Sequence, residues 1–216
     1  MKRLLIILIS FLVCGNLQSC NIFAGLSFVF SPEPEQEAMY ALPNVRTVVF
    51  VDDRLNLMHP SRLKRILADE VTNQLLSEQI LTTIISPQDV LRYTTSHDKH
   101  DAPIPIQSIG KAVNASTVIY IEMSYFALTN DGQTPNPGAM CNVRVIDTDQ
   151  GTRLFPIEQS SYQVAVQMKR VAPRQIGSSG SIKKLTEELT IKLGEKVAKL
   201  FYKHYTGRLG ENLDRK

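Results

Sequence analysis

The chain lacks most of the features that announce chemistry. It has no glycine-rich phosphate loop, and no serine sits in a glycine-flanked nucleophile elbow. Phosphate-cradling and serine-hydrolase activities are thereby set aside. Charge of one sign is missing too: 24 Lys and Arg oppose 21 Asp and Glu, and aromatic residues are not interleaved with basic ones. With neither a basic surface nor a stacking platform, nucleic acid is not an expected partner. No internal repeats occur. Cysteine is scarce, with three residues in all, Cys14, Cys20 and Cys141.

The strongest positive signal lies at the amino terminus. Lys2 and Arg3 are followed by an apolar run over 4–13, and Leu17, Gln18, Ser19 and Cys20 close the segment. This order of charge, apolar core and small residue is that of an export signal, too short to span a bilayer. The Leu17 to Cys20 stretch resembles the lipobox of bacterial lipoproteins. Ser19 lets a peptidase approach the backbone, Leu17 fills an apolar subsite, and Gln18 stands where a small or β-branched residue is usual. Cys14 is a poor rival, because bulky Val13 precedes it. The resemblance implies cleavage between Ser19 and Cys20 and acylation of Cys20, each buried methylene contributing about 0.8 kcal/mol to membrane binding. In the alternative, the segment is an ordinary secretory signal or an uncleaved anchor and Cys20 is incidental. Asn21 replaces the aspartate of the usual inner-membrane retention signal, which implies the outer membrane, facing the periplasm. Removing 1–19 takes Lys2 and Arg3 away, leaving 22 basic against 21 acidic residues and a net charge of +1. A lipidated Cys20 leaves Cys141 without an intrachain partner, as a buried, small apolar residue. A Cys20–Cys141 disulfide is the competing assignment.

Residues 20–43 are expected to form a lipidated tether. Its run 22–30 is apolar and is read either as packing beneath the domain or at the membrane interface, or as a partner-binding segment. The Pro- and Glu-rich 31–35 then makes a stiff spacer. One domain over 44–205 and a polar tail over 206–216 follow.

Within the domain, 45–51 is β-branched and apolar at successive positions, which predicts a strand buried on both faces. Pro60 is expected at the first position of a helix whose apolar face is Leu63, Ile66, Leu67, Val71 and Leu75, ending near Gln79. A strand over 81–85 follows. Ser86 and Asp89 have capping-box spacing for a short helix carrying Val90, Leu91 and Tyr93. A polar loop, 94–105, leads to another short helix with Ile106, Ile109 and Val113, stopped around Asn114 and Ala115. The longest strand signal is 117–128, apolar on both faces at first and one-sided from Glu122 on. A Pro- and Gly-containing loop over 130–138 precedes strands at 139–146, 152–155 and 161–169, the last with Tyr162, Val164, Val166 and Met168 on one face. A flexible joint at 177–180 opens a helix from Ser181 to about Tyr205, with Ile182, Leu185, Leu189, Leu193, Val197 and Leu200 on one side and lysines and glutamates on the other. The fold class is α/β (α+β): a mixed β-sheet covered by helices, in two or three layers, with an amphipathic C-terminal helix.

Several stretches resemble the periplasmic α/β domain of curli-secretion and penicillin-binding-protein-activator lipoproteins and the amino-terminal domain of the Tol-system propeller protein. They are Val48 to Val51, Ile66 to Val71 with Leu75, Ile109 to Tyr120, and Val145 to Gly151. The resemblance covers 44–205 and implies a non-catalytic module that binds other envelope proteins or forms homo-oligomers, including rings acting as secretion accessories. The membrane-spanning hairpins of the curli channel have no counterpart.

Few residues group as chemistry would require. His97, Asp98, His100 and Asp101 place two imidazoles and two carboxylates within five residues, a weak metal candidate that competes with a solvated loop. Asp147, Asp149 and Glu158 echo part of a calcium loop, which a tight hairpin explains more simply. Asp52 and Asp53 sit at a strand's carboxyl end, where α/β sheets bind ligands and where turn aspartates are also common. No cofactor or catalytic residue is expected.

Overall fold

The computed structural model describes residues 35–97, 104–129, 135–169 and 178–206. The export signal, Ser19, Cys20, the apolar run 22–30, the spacer up to residue 34 and the tail from residue 207 lie outside the described residues.

Glu37–His204 form one compact unit. Separately, β1 (Glu35–Gln36) and β8 (His204–Tyr205) make a two-stranded sheet. The compact unit is built on β2 (Thr47–Asp52), whose first three residues are all buried. From β2 the chain passes through α1 (Arg62–Ser77) to β3 (Ile84–Ile85), which pairs parallel to β2 on one side. It returns through α2 (Pro87–His97) and α3 (Ile106–Ala112) to β4 (Thr117–Thr129), parallel to β2 on the other side. The two crossovers run in opposite directions along the sheet. A common right-handed connection therefore puts α1 on one face and α2 with α3 on the other. Beyond β4 the sheet turns antiparallel: β5 (Pro135–Asp147) pairs with β4, and β6 (Arg153–Phe155) and β7 (Tyr162–Gln167) both pair with β5. The last helix, α4 (Ser179–Ala198), rejoins α1. The result is a mixed sheet between two helical layers, the three-layer form of the expected fold class.

Two apolar clusters follow from this layering. The larger joins Leu63, Leu67, Val71 and Leu75 of α1, Leu189, Leu193 and Val197 of α4, and the inward residues of β2, β4, β5 and β7. The smaller joins Val48, Val118 and Tyr120 with Val90 of α2 and Ile109 of α3. Glycines set the approach at two places: a Cβ on Gly194 would lie 2.8 Å from Glu70 of α1, and one on Gly110 would lie 2.2 Å from the Thr148 methyl. Within the 20–43 stretch, Leu42 is buried and Tyr40 stacks on Phe155, while the Met39 and Tyr40 amides both donate to the Leu200 carbonyl.

Several element boundaries differ from expectation. Pro60 lies outside α1, which starts at Arg62 after Ser61; its carbonyl accepts from the Leu63 amide in a tight first turn. The expected strand 81–85 shrinks to two residues, because Leu81 turns into the core and the Thr82 amide and hydroxyl bind the Asn44 side chain instead of a strand. Residues 94–97 are helical rather than loop. The hydroxyls of Thr94, Thr95 and Ser96 donate to carbonyls three and four residues back, so their polarity is satisfied inside the helix. Ser86 does cap α2, accepting from the Gln88 amide. Strand β5 begins at Pro135, inside the expected loop. Gln167 supplies donors there, its side-chain amide binding Asn136 and the Pro137 carbonyl, while the Met168 amide binds Pro137 as well. Helix α4 starts at Ser179, because the Ser178 hydroxyl accepts from the Ser181 amide. It ends at Ala198, since a 3₁₀ turn, Lys199–Phe201, carries Leu200 and Phe201 into the core. Ile182 stays 41% exposed, and Thr186, Thr190 and Gly194 fill the buried side instead.

Helices α1 and α3 end alike. Gln79 and Asn114 take positive φ, 56° and 63°, within the left-handed well centred at about 57°. The next amides, of Ile80 and Ala115, reach back to Leu75 and Gly110. Orphan carbonyls are thus satisfied just before the chain re-enters the sheet.

Candidate functional site

The residues that sequence reasoning singled out are dispersed. Asp53 is spent on structure: its two carboxylate oxygens accept from the Leu57 and Met58 amides, both at 2.8 Å, shaping the turn into α1. Asp52 faces away from that turn and holds the Arg54 guanidinium at 2.7 Å. Asp52 and Asp53 are therefore not a catalytic acid pair. Asp147 is likewise committed, accepting from the amides of Asp149 and Gln150 while Gly151 adopts φ 67°. That is the geometry of a tight hairpin turn. Cys141 is fully buried in β5, and burial pushes its thiol up to about 12, so it presents no thiolate. Of the metal candidates, His97 closes α2. Its Nδ1 lies 3.0 Å from both the Tyr93 carbonyl and the Ser96 hydroxyl, and its ring stacks on Tyr93 at 4.4 Å. Asp98, His100 and Asp101 lie outside the described residues. Among the described residues no three His, Cys, Asp or Glu gather as a metal site would require.

Two arrangements were not foreseen. The first is a polar ladder across β2, β4 and β5. Register pairs Asp52 with Glu122 and Tyr120 with Arg144, so all four share the face that carries α2 and α3. The Tyr120 hydroxyl donates to Asp52 at 2.5 Å, Arg144 donates to Glu122 at 2.7 Å, and the Arg144 guanidinium lies 4.7 Å above the Tyr120 ring. Burial, then the hydrogen bond and negative charge of Asp52, hold the Tyr120 phenol well above its ordinary value. The phenol donates to Asp52, and the ladder clamps β2, β4 and β5 together. The alternation of polar residues after Tyr120 was visible in the sequence, but the register joining β2 to β5 was not.

The second is a groove between α2 and the end of α3, with a volume of about 420 Å³. Asp89, Arg92, Tyr93, Ser96 and His97 form one wall, and Ala112, Val113 and Asn114 the other. Asp89 pairs with Arg92 in it, at 3.7 Å.

Fold and site thus define a three-layer α/β/α domain with a mixed sheet. No protein-family model matches the chain, and no curated protein matches it. Solved structures to which it is similar include bacterial lipoproteins, the class its amino terminus resembles. Lipoprotein GNA1162 of Neisseria meningitidis aligns at 11% identity and a TM-score of 0.42, over 69% of this chain and 99% of that one. A PelC dodecamer from Paraburkholderia phytofirmans aligns at 13% and 0.39, over 79% and 99%. The C-terminal domain of LpoB from Escherichia coli aligns at 15% and 0.37, over 58% and 84%. At these distances the likeness carries no argument about function. Among the described residues, no helix is long and apolar enough to cross a membrane.

Proposed function

We propose that the protein is a non-catalytic lipoprotein of the bacterial envelope, a protein-binding or assembly module held by an acylated Cys20 at the periplasmic face of the outer membrane. In this reading 1–19 is the cleaved leader, 20–43 the lipidated tether, 44–205 the working domain and 206–216 a polar tail. The observation that carries it is the order of Lys2 and Arg3, the apolar run 4–13 and the Leu17 to Cys20 lipobox. Asp53 and Asp147 accept backbone amides in turns and Cys141 is buried in the core, which agrees with a module without catalytic groups at these positions.

Mass spectrometry of the mature amino terminus tests the reading. A chain that begins at Cys20 with added acyl mass is expected, and Cys20→Ser should move the protein from the detergent phase to the aqueous phase. A mature form with an unmodified Cys20 thiol would overturn it. Cross-linking of the mature protein in detergent tests assembly: ladders above the monomer favour a homo-oligomer, and a strict monomer leaves only partner binding.

A further inference from the structure

We propose that the groove between α2 and α3 binds a neutral saccharide ring, a hexose or N-acetylhexosamine. This goes beyond the envelope-module reading and stands independently of it. A groove of about 420 Å³ lies within the range of small-ligand sites. Its charges cancel, since Asp89 and Arg92 face each other. An anion would meet the Asp89 carboxylate beside the Arg92 guanidinium. A polyhydroxylated neutral ligand instead needs acceptors and donors side by side, each hydroxyl being both. The groove supplies that mixture: the Asp89 carboxylate accepts, the Arg92 guanidinium donates, and the Asn114 amide does both.

Two of these groups are unspent. Among the described residues, neither the Tyr93 hydroxyl nor the Asn114 side-chain amide has a hydrogen-bond partner, whereas Ser96 and His97 Nδ1 are occupied by the helix itself. The apolar requirement is met as well. Tyr93 packs inward on the smaller cluster and outward on His97, which leaves the exposed imidazole as the outer member of a flat stack against which the C–H face of a sugar can lie. Val113 and Ala112 line the opposite side. Asn114 stands at the α3 terminus with φ 63°, its backbone amide donating to the Lys111 carbonyl.

The test is a ¹H–¹⁵N titration of the full chain in a detergent without sugar headgroups, with N-acetylglucosamine, its β-1,4 trimer, maltotriose and inorganic phosphate added separately. We expect one or more of the saccharides to shift the amides of 89–97 and 112–114 saturably. Tighter binding of the trimer than of the monomer would assign a polymer as the source of the ring, and equal binding a free sugar. Tyr93→Phe keeps the ring packing, and Asn114→Gly suits the positive φ, so both should fold. Each should weaken binding about three- to tenfold, as loss of one net hydrogen bond does. Phosphate shifting these amides in place of sugar, no shift with any saccharide, or unaltered binding in both variants would overturn the proposal.

Discussion

The two faces of the sheet have been given different work. On the α1 and α4 side, the apolar cluster runs from Leu42 through five strands to Tyr202; the buried Thr186 and Thr190 hydroxyls of α4 bond their own helix, while that of Thr72 on α1 has no partner among the described residues. On the α2 and α3 side, the cluster is small, and beyond Tyr120 the sheet carries Asp52, Glu122 and Arg144 in place of a core. One face holds the molecule together, while the other keeps polar groups at its margin and leaves a groove between short helices.

This contrast can be broken by substitution, and the largest effect should come from the first face. Leu189→Ala removes a fully buried side chain from the α1–α4 interface and should cost about 2–5 kcal/mol in chemical denaturation. A loss below 1 kcal/mol would mean that α4 is not part of the main core. Gly110→Ala, on the second face, forces a methyl against Thr148 and Val118. It should cost about 1–3 kcal/mol, an overpacking penalty, and leave the α1–α4 side of the spectrum unshifted. Tyr120→Phe deletes the hydroxyl that donates to Asp52, and a loss of about 1–2 kcal/mol is expected.

The smallest effect depends on pH. Burial raises the Asp69 carboxyl above its ordinary value, and the charge of Arg65 only partly offsets it. A carboxyl whose folded pKa is raised favours the fold below its unfolded value, and that contribution is lost as pH climbs through the folded one. Asp69→Asn should therefore leave Tm unchanged near pH 3 and raise it slightly by pH 7. The opposite trend would place Asp69 in an attractive pair instead.

The same division explains which features were legible in the sequence. Elements of the first face announce themselves: the spacing of Leu63, Leu67, Val71 and Leu75, and of Leu185, Leu189, Leu193 and Val197, is the helical period, and burial follows it. The strands at 117 and 162 were equally plain from their apolar runs and alternation. What escaped is governed by contacts remote in sequence. Polar composition suggested a loop at 94–97, where the hydroxyls bond back along the helix. Pro135 and Pro137 suggested a break, which the side chain of Gln167, thirty residues away, makes unnecessary. The ladder depends on register between β2, β4 and β5, and the groove depends on the meeting of α2 and α3. No local pattern encodes either of them.

Cys141 offers a practical handle on the whole molecule. It lies at the centre of the sheet, paired with Met123 on one side and Val164 on the other. If the other mature thiol is consumed by lipid, a single sulfhydryl remains, and reagents can reach it only when the strands part. The rate at which an alkylating agent captures that sulfur in unmodified protein would then serve as a clock for opening of the central strands, read by mass alone and without any engineered label.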